Sequence, residues 1–510
     1  MINSGLLQIG GINTPVGNTL TISGNYIGQN GAIALNTQLG GDGSPSDQLI
    51  IDHGQATGSS NLKVNNVGGV GAVTQGSGIQ VIQAVNGGST AAGAFMLSAP
   101  VGAGPYEYFL YRGGGAPGTA DNWYLRSSAP PAPGTGPGGA ITPAPGTPFI
   151  PASIPGTPAI PFYRPEVAVD VTVPLVARDV TLSMLGPADV RNPDAPALGF
   201  GGTEAPTAPG AVAPVTSACQ ANDYAQVKSN LQVECGPSAL WGRFIGLSND
   251  QRWSGTVDPE VKGSVYGMQL GLDLYRIDRP DGNRDKFGMF FGFAQENGDV
   301  QGTALGQLGS SVGSLTVTGY SLAAYWTHVG PSGWHVDATL MGTTLNTNAL
   351  SNRPIETTDS GSVVTASLEG GYPLRLGSYL ALEPQAQIIW QHLSLSHNQD
   401  QFSTIAYSTP NVATGRLGLK LSDLFQINGR VIKPYITANL WRTFSGTDTT
   451  TFATTPILTS LGATALETQG GMVMQFDKNV ILQASAGYIT NIGGDHRQGF
   501  TGNAGLKVLW

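Results

Sequence analysis

Asp47 and Asp52 stand close together in Gly-rich text, and a pair of carboxylates at a suitable separation is what glycosidic hydrolysis requires. Turn and cap roles suit single carboxylates in such text better. His392 and His397 are near neighbours at the end of a strand-like segment, but their opposite parities point them to opposite faces, against a shared metal site. The motifs His-Glu-x-x-His and Gly-x-Ser-x-Gly, a Walker-type phosphate loop and a dinucleotide fingerprint are all absent. Cys219 and Cys235 enclose 15 residues. They suit one local disulfide in an oxidising compartment, which would stabilise by roughly 3 kcal/mol in the chain-entropy model, with free thiols as the alternative. The expectation is a protein that is no enzyme, with no catalytic residues, no cofactor and no metal set.

The elements that would position any such residues are strands, and the last of them is the most telling. Phe500, Gly502, Ala504, Leu506, Val508 and Trp510 share one parity, while Thr501, Asn503, Gly505 and Lys507 take the other. Alternate side chains of a strand point to opposite faces, so one face is apolar and ends in an indole. An outer-membrane barrel strand has this form, with its apolar parity toward lipid and its polar parity toward the lumen.

Earlier segments repeat the design. Leu380, Leu382, Pro384, Ala386, Ile388 and Trp390 oppose Glu383, Gln385, Gln387 and Gln391; Tyr266, Met268 and Leu270 oppose Gly267, Gln269 and Asp273. About twelve such segments fill residues 238–510, an even number, as single-chain bacterial barrels have. Trp241, Trp253, Tyr275, Trp326, Trp390, Tyr435, Trp441, Tyr488 and Trp510 recur near segment ends and are expected to form interfacial girdles. A sandwich with a dry core would not carry so many polar residues on its inner parity. Gln269, Asp273, Asp337, Glu369, Glu383, Gln385, Arg416, Lys420 and Gln483 are expected to face a watery lumen, where Gly267, Gly271, Gly292, Gly370 and Gly487 leave space.

Composition agrees. Charged residues make up 11%, against roughly 25% in soluble domains, and no run of 18 or more apolar residues provides a helical membrane span. A net charge of −9 argues against nucleic-acid binding. The opening Met1-Ile-Asn-Ser-Gly-Leu-Leu is no secretory signal, so an exported chain implies either a piece of a longer precursor or a start placed too late.

Before the barrel, residues 17–128 are short apolar pieces between Gly, Asn, Asp and Ser, the text of a β-solenoid or small sandwich. Residues 129–162 are Pro/Gly-rich and read as a disordered linker. Residues 163–185 could form one helix, started or kinked by Pro174, or two short strands; a second Pro-rich insert carrying both Cys follows, up to residue 237.

In order and spacing, the chain resembles an autotransporter of type V secretion over nearly its whole length. Leu20-Thr-Ile-Ser-Gly-Asn-Tyr26, Ser46-Asp-Gln-Leu-Ile-Ile51, Gly76-Ser-Gly-Ile-Gln-Val81, Ala103-Gly-Pro-Tyr-Glu-Tyr108 and Asp121-Asn-Trp-Tyr-Leu-Arg126 are similar to the end of a pertactin-like passenger. Tyr163-Arg-Pro-Glu-Val167 resembles the segment entering the barrel, Leu240-Trp-Gly-Arg-Phe244 the first strand, and Leu506-Lys-Val-Leu-Trp510 the last. The resemblance implies an all-β fold: a twelve-stranded antiparallel transmembrane β-barrel, preceded by a short β-helix passenger remnant with an autochaperone-like cap (1–128) and a lumen-threading segment. It implies a monomer in the outer membrane of a Gram-negative bacterium, with residues 1–128 at the cell surface. The implied partners are outer-membrane lipid, periplasmic chaperones, the chain's own passenger and a barrel-assembly machinery that reads Phe500, Leu506, Val508 and Trp510. The long insert 186–237 departs from the family pattern and is expected on the periplasmic side. No match to the family's intrapore cleavage at an Asn is evident, since Asn65-Asn66 lies in the passenger.

Export and display of the attached passenger is the expected function. A surface-anchored adhesin and, more weakly, a porin are the alternatives. If passenger folding drives export, a charge at Ile50, expected to be buried, should slow surface exposure.

Overall fold

The protein is described from a computed structural model, covering residues 1–11, 14–130, 140–148, 152–153, 157–186, 188, 232–279, 281–444 and 446–510, with side chains in the first barrel strand from Ala239 onward. The Cys219–Cys235 pairing and most of the insert lie outside the described residues.

Two parallel ladders build the N-terminal part. In one, Ile2–Asn3 and Leu6–Gln8 pair with Tyr26–Thr37, which pairs with Gln55–Asn66, which pairs with Phe95–Leu97. In the other, Thr19–Ser23, Gln48–Asp52 and Ile79–Val85 stack in parallel. Each winding of the chain gives one strand to each ladder, so inward side chains stack on one another: Ile33, Leu35, Leu49, Ile51, Val81 and Ile82 are fully buried between the ladders. Stacked corners leave no room for side chains; a Cβ on Gly54 would lie 1.9 Å from the carbonyl of Gly24. Asp47 is buried and ties neighbouring corners, accepting from the backbone N–H groups of Gly17 (3.0 Å), Asn18 (2.8 Å) and Asn36 (3.0 Å). Asp52 accepts from Asn86 Nδ2 and pairs with His53, so the two carboxylates serve different corners.

Two expectations need correction. Ile50 is only half buried, because it is Leu49 and Ile51 that share the inward parity. Within 129–162 three residues are docked rather than free, since Ala129, Ile141 and Phe162 are buried against Phe109 and Tyr111, and Thr142–Pro143 pairs with Tyr106–Arg112. Apolar residues punctuate the Pro/Gly text there, and proline is tolerated on a sheet edge. The solenoid ends in an antiparallel cap in which Ile79–Val85 pairs with Trp123–Arg126, Trp123–Arg126 with Tyr106–Arg112, and Tyr106–Arg112 with Val101–Ala103, covering the open ladder end.

Residues 163–185 are helical, in two pieces. Helix α1 spans Pro165–Asp170 and α2 spans Val173–Ser183. Each has a proline in its first turn, where the missing N–H costs nothing and the fixed φ suits a helix, so Pro174 starts the second piece.

Twelve antiparallel strands follow and close. In order they are Gln232–Arg252, Glu260–Asp278, Arg284–Ala304, Gln307–Val329, His335–Ser351, Glu356–Gly371, Ala381–Leu395, Val412–Ser422, Arg430–Thr443, Ala463–Asp477, Val480–Gly494 and His496–Leu509, here barrel strands 1 to 12. Strand 1 pairs with strand 12 from Ala239↔Leu509 to Arg252↔His496, so the sheet has no open edge. About ten residues cross a bilayer, and strands 3 and 4, at 21 and 23 residues, project well beyond it on the side of the solenoid. On that side the loops after strands 7 and 9 form their own four-stranded sheet from Asn398–Gln399, Thr404–Ser408, Thr447–Phe452 and Thr455–Ser460.

Along the wall the apolar parity points outward: Phe244, Leu270, Leu322, Leu340, Leu417, Ile436 and Phe500 are all exposed. Tyr275, Trp326, Trp390, Tyr488 and Trp510 are outward too. Trp241, Trp253 and Tyr435 are instead buried, and Trp441 is partly buried, so these four are no girdle residues. Their reversal has a local reason. Trp241 fills the space opposite Gly271, where a Cβ would lie 2.1 Å from its ring, and packs against Phe290 and Tyr325.

Candidate functional site: the barrel lumen

The two helices fill the barrel, and every residue from Pro165 to Ala177 is buried. Glycines on the wall make the room. A Cβ on Gly302 would lie 2.7 Å from Ala168 Cβ, and one on Gly292 2.9 Å from Met184 Sδ. Several polar groups of α2 meet partners on the wall. Arg178 forms a buried bidentate pair with Asp448, at 2.5 Å from Nη1 and 2.9 Å from Nη2. Gln391 Nε2 donates to Thr181 Oγ1 (2.8 Å), and Gln251 Nε2 donates to Asp179 Oδ2 (2.7 Å). Helix ends leave carbonyls without partners, and α2 has no basic residue in its last turn. The wall supplies donors: Gln269 Nε2 (2.7 Å) and Arg243 Nη2 (3.2 Å) both donate to the Met184 carbonyl. Two cavities beside α2, of about 50 and 120 Å³, are too small for a translocating chain.

The mouth nearest the solenoid is tied by charge. Buried Arg164 donates from Nη1 to Glu166 (3.1 Å) and Asp400 (2.8 Å), and from Nε to the Gly104 carbonyl (2.9 Å), with Phe402 under its guanidinium. Arg353, after strand 5, reaches Glu166 (2.7 Å) and Glu107 of the cap (2.6 Å). Burial pushes the Glu107 carboxyl above the usual range despite that guanidinium. Cap, helix and barrel loops thus meet in one five-residue network.

The expected lumen residues fall into separate groups. Glu369, Arg416 and Gln385 come together, with Arg416 at 3.1 Å from Glu369 and 3.0 Å from Gln385 Oε1; Glu383 accepts from Gln385 Nε2 but is partly exposed. Asp273 pairs with Lys507 (2.9 Å) and accepts from Tyr325. Asp337 accepts from Thr327 and Thr339, and Lys420 sits 4.6 Å over the Tyr435 ring. Gln269 touches the helix end, and Gln483 is buried by Gly505. Of the proposed terminal signal, Phe500, Leu506 and Trp510 are exposed and Val508 is half buried. Sequence reading placed Gln391 on the inner parity but missed Arg178, Asp179, Gln251 and Asp448. A clue existed for the first two, since adjacent charges interrupt an otherwise apolar helix. Among the described residues no set of His, Cys, Asp and Glu is arranged to hold a metal ion.

Comparison with known proteins agrees with this geometry. Residues 240–487 match the family described as the autotransporter beta-domain, and residues 8–110 the autochaperone domain type 1. The uncharacterized protein YdeU of Escherichia coli K12 is 28% identical over 443 residues, 83% of this chain and 84% of that one. The adhesin BmaC autotransporter of Brucella suis is 27% identical over 449 residues, 84% of this chain but 12% of its own length. The crystal structure of the transport unit of the autotransporter AIDA-I from Escherichia coli superposes with a TM-score of 0.50 at 17% identity, covering 68% of this chain and 100% of that one. The chain therefore belongs to the autotransporters, as an outer-membrane β-barrel translocator of type V secretion that carries its own passenger to the cell surface.

Proposed function

We propose a division of labour along the chain. Residues 1–128 are the passenger end whose cap folds first outside the cell, residues 163–185 are the trailing segment retained in the lumen, and residues 238–510 are the membrane anchor and pore. The single observation that carries this reading is the continuous helical path through the lumen, anchored from Arg164 on the Gly104 carbonyl to the Met184 carbonyl on Gln269, with every residue from Pro165 to Ala177 buried. A diffusion porin needs an open lumen. The adhesin reading is favoured by similarity to two adhesin autotransporters, and by no feature of the geometry described above. Recognition of the outward Phe500, Leu506, Val508 and Trp510 by the assembly machinery, and escort by periplasmic chaperones, belong to the same proposal.

Planar-bilayer conductance tests the pore. The intact chain should show only brief, small openings, and deletion of 163–185 should raise the open conductance severalfold; a large stable conductance in the intact chain would mean a porin. Folding as the source of directionality is tested at the corrected position. Leu49→Asp places a carboxylate in the solenoid core and should cost about 4 kcal/mol or more. Protease-protected passenger at the cell surface should fall at least several-fold while the barrel keeps its heat-modifiable gel mobility. Unchanged exposure would remove folding as the driver.

A further inference from the structure

The outer wall carries a groove that the export reading does not use. It is about 600 Å³, crosses barrel strands 5 to 9, and is floored by Gly370, Ala386 and Gly415 between walls that include Leu368, Leu417 and Phe444. The floor is low because of glycine: a Cβ on Gly415 would stand 3.5 Å from the Phe444 ring. Leu368 and Leu417 are 51% and 63% exposed, so the groove opens toward the membrane.

At one end stands Arg442. It shares the outward parity of Leu440 and Phe444 and lies one residue from the end of strand 9, on the side of the passenger. Trp390 pairs with Ala413, whose carbonyl accepts from the Phe444 N–H at 3.0 Å, so this outward indole sits at the same level as Phe444. Trp side chains mark the membrane interface, which puts Arg442 at headgroup depth. Its Nη1 donates to Thr464 Oγ1 at 2.5 Å, and no carboxylate among the described residues lies within 4.0 Å of it. Other outward cations on this rim are matched: Arg252 and Lys262 both reach Glu260, at 2.7 and 2.6 Å. Arg442 alone of these three keeps a guanidinium fork without an anion.

We propose that this face binds a phosphate-bearing glycolipid of the outer leaflet, with a phosphate on Arg442 and an acyl chain along the groove. A planar guanidinium takes phosphate oxygens in pairs, and an apolar channel leading from it toward mid-membrane suits a chain attached close to that phosphate. The proposal rests on the barrel spanning the outer membrane with the Arg442 end outward.

The test uses the refolded full chain in detergent, with native mass spectrometry of lipid retained from equal mixtures. The probes are lipid A with both phosphates, lipid A without phosphate, and phosphatidylglycerol. The phosphorylated lipid A should be retained over the other two, and Arg442→Gln should weaken its retention about tenfold, as expected for loss of a charge-assisted contact. Gly415→Leu fills the groove and should weaken it similarly with Arg442 intact, so it decides the matter if Arg442→Gln does not fold. Undiminished retention in the folded variants, or equal retention of phosphatidylglycerol, would overturn the site. Loss of heat-modifiable mobility in the unsubstituted chain would instead overturn the barrel reading itself.

Discussion

Arg178→Ala should turn a quiet barrel into a leaky one. The Arg178–Asp448 pair is buried on both sides, bidentate, and joins α2 to the loop hairpin after strand 9. Removing one partner strands the Asp448 carboxylate away from water, which costs about 3–5 kcal/mol for a buried pair. The helix has no other charged anchor to that hairpin, and its other wall contacts near Arg178 include amide bonds from Gln391 to the Arg178 carbonyl and Thr181, and from Gln251 to Asp179. Frequent channel openings should therefore appear in planar bilayers, approaching those of the barrel lacking 163–185. The double variant Arg178→Met with Asp448→Leu is the discriminating control. It removes both charges and restores apolar packing, so it should recover much of the quiet state. If leakage in the double variant matches that of Arg178→Ala, the pair does not hold the helix, and packing of Val173, Val176 and Val180 is what seals the lumen.

The wall was legible in the sequence because a barrel strand writes its two environments into alternate residues. Leu380 to Trp390 and Phe500 to Trp510 needed nothing beyond period-two reading, and Ile388, Trp390, Phe500, Leu506 and Trp510 are exposed in the structure. The inner face was legible only as polarity. Gln269, Asp273 and Arg416 could be placed inside, but not assigned partners, because partners come from strands far apart: Asp273 meets Lys507, and Arg178 meets Asp448 270 residues away. Periodicity carries no information about such pairings. Aromatics misled for a related reason. Trp241 follows the inward parity, and that parity, not proximity to a segment end, decides its place. The helix was ambiguous because residues such as Val167, Val169, Val171, Val173 and Val176 are β-branched, which favours strand locally, and only enclosure by the wall makes a helix the better solution. Ile50 shows how small an error of register can be: one residue moves a side chain from the core to the surface.

Deleting Leu509 and Trp510 should separate stability from recognition. In the folded barrel the loss is slight. Leu509 forms the last rung with Ala239, its N–H donates to the Asn479 carbonyl at 2.8 Å, and its own carbonyl accepts from Asn479 Nδ2. Trp510 is 61% exposed and contributes its indole to the lipid side. Rungs from Leu240↔Val508 to Arg252↔His496 keep strand 12 paired with strand 1, so closure survives. The shortened chain refolded in detergent should still show heat-modifiable mobility, with a loss of about 1–2 kcal/mol for one exposed end rung and its bonds. In cells the outcome should be far larger if the outward Phe500, Leu506, Val508 and Trp510 are read as an address: a fall of about tenfold or more in outer-membrane barrel, with residues 17–128 still able to fold on their own core of Leu49, Ile51 and Val81. A tenfold change in partition corresponds to about 1.4 kcal/mol of lost recognition, well within what burial of one indole supplies. A proportionate loss in both settings would assign the terminal residues to closure alone, whereas normal assembly in cells with normal refolding would assign them to neither.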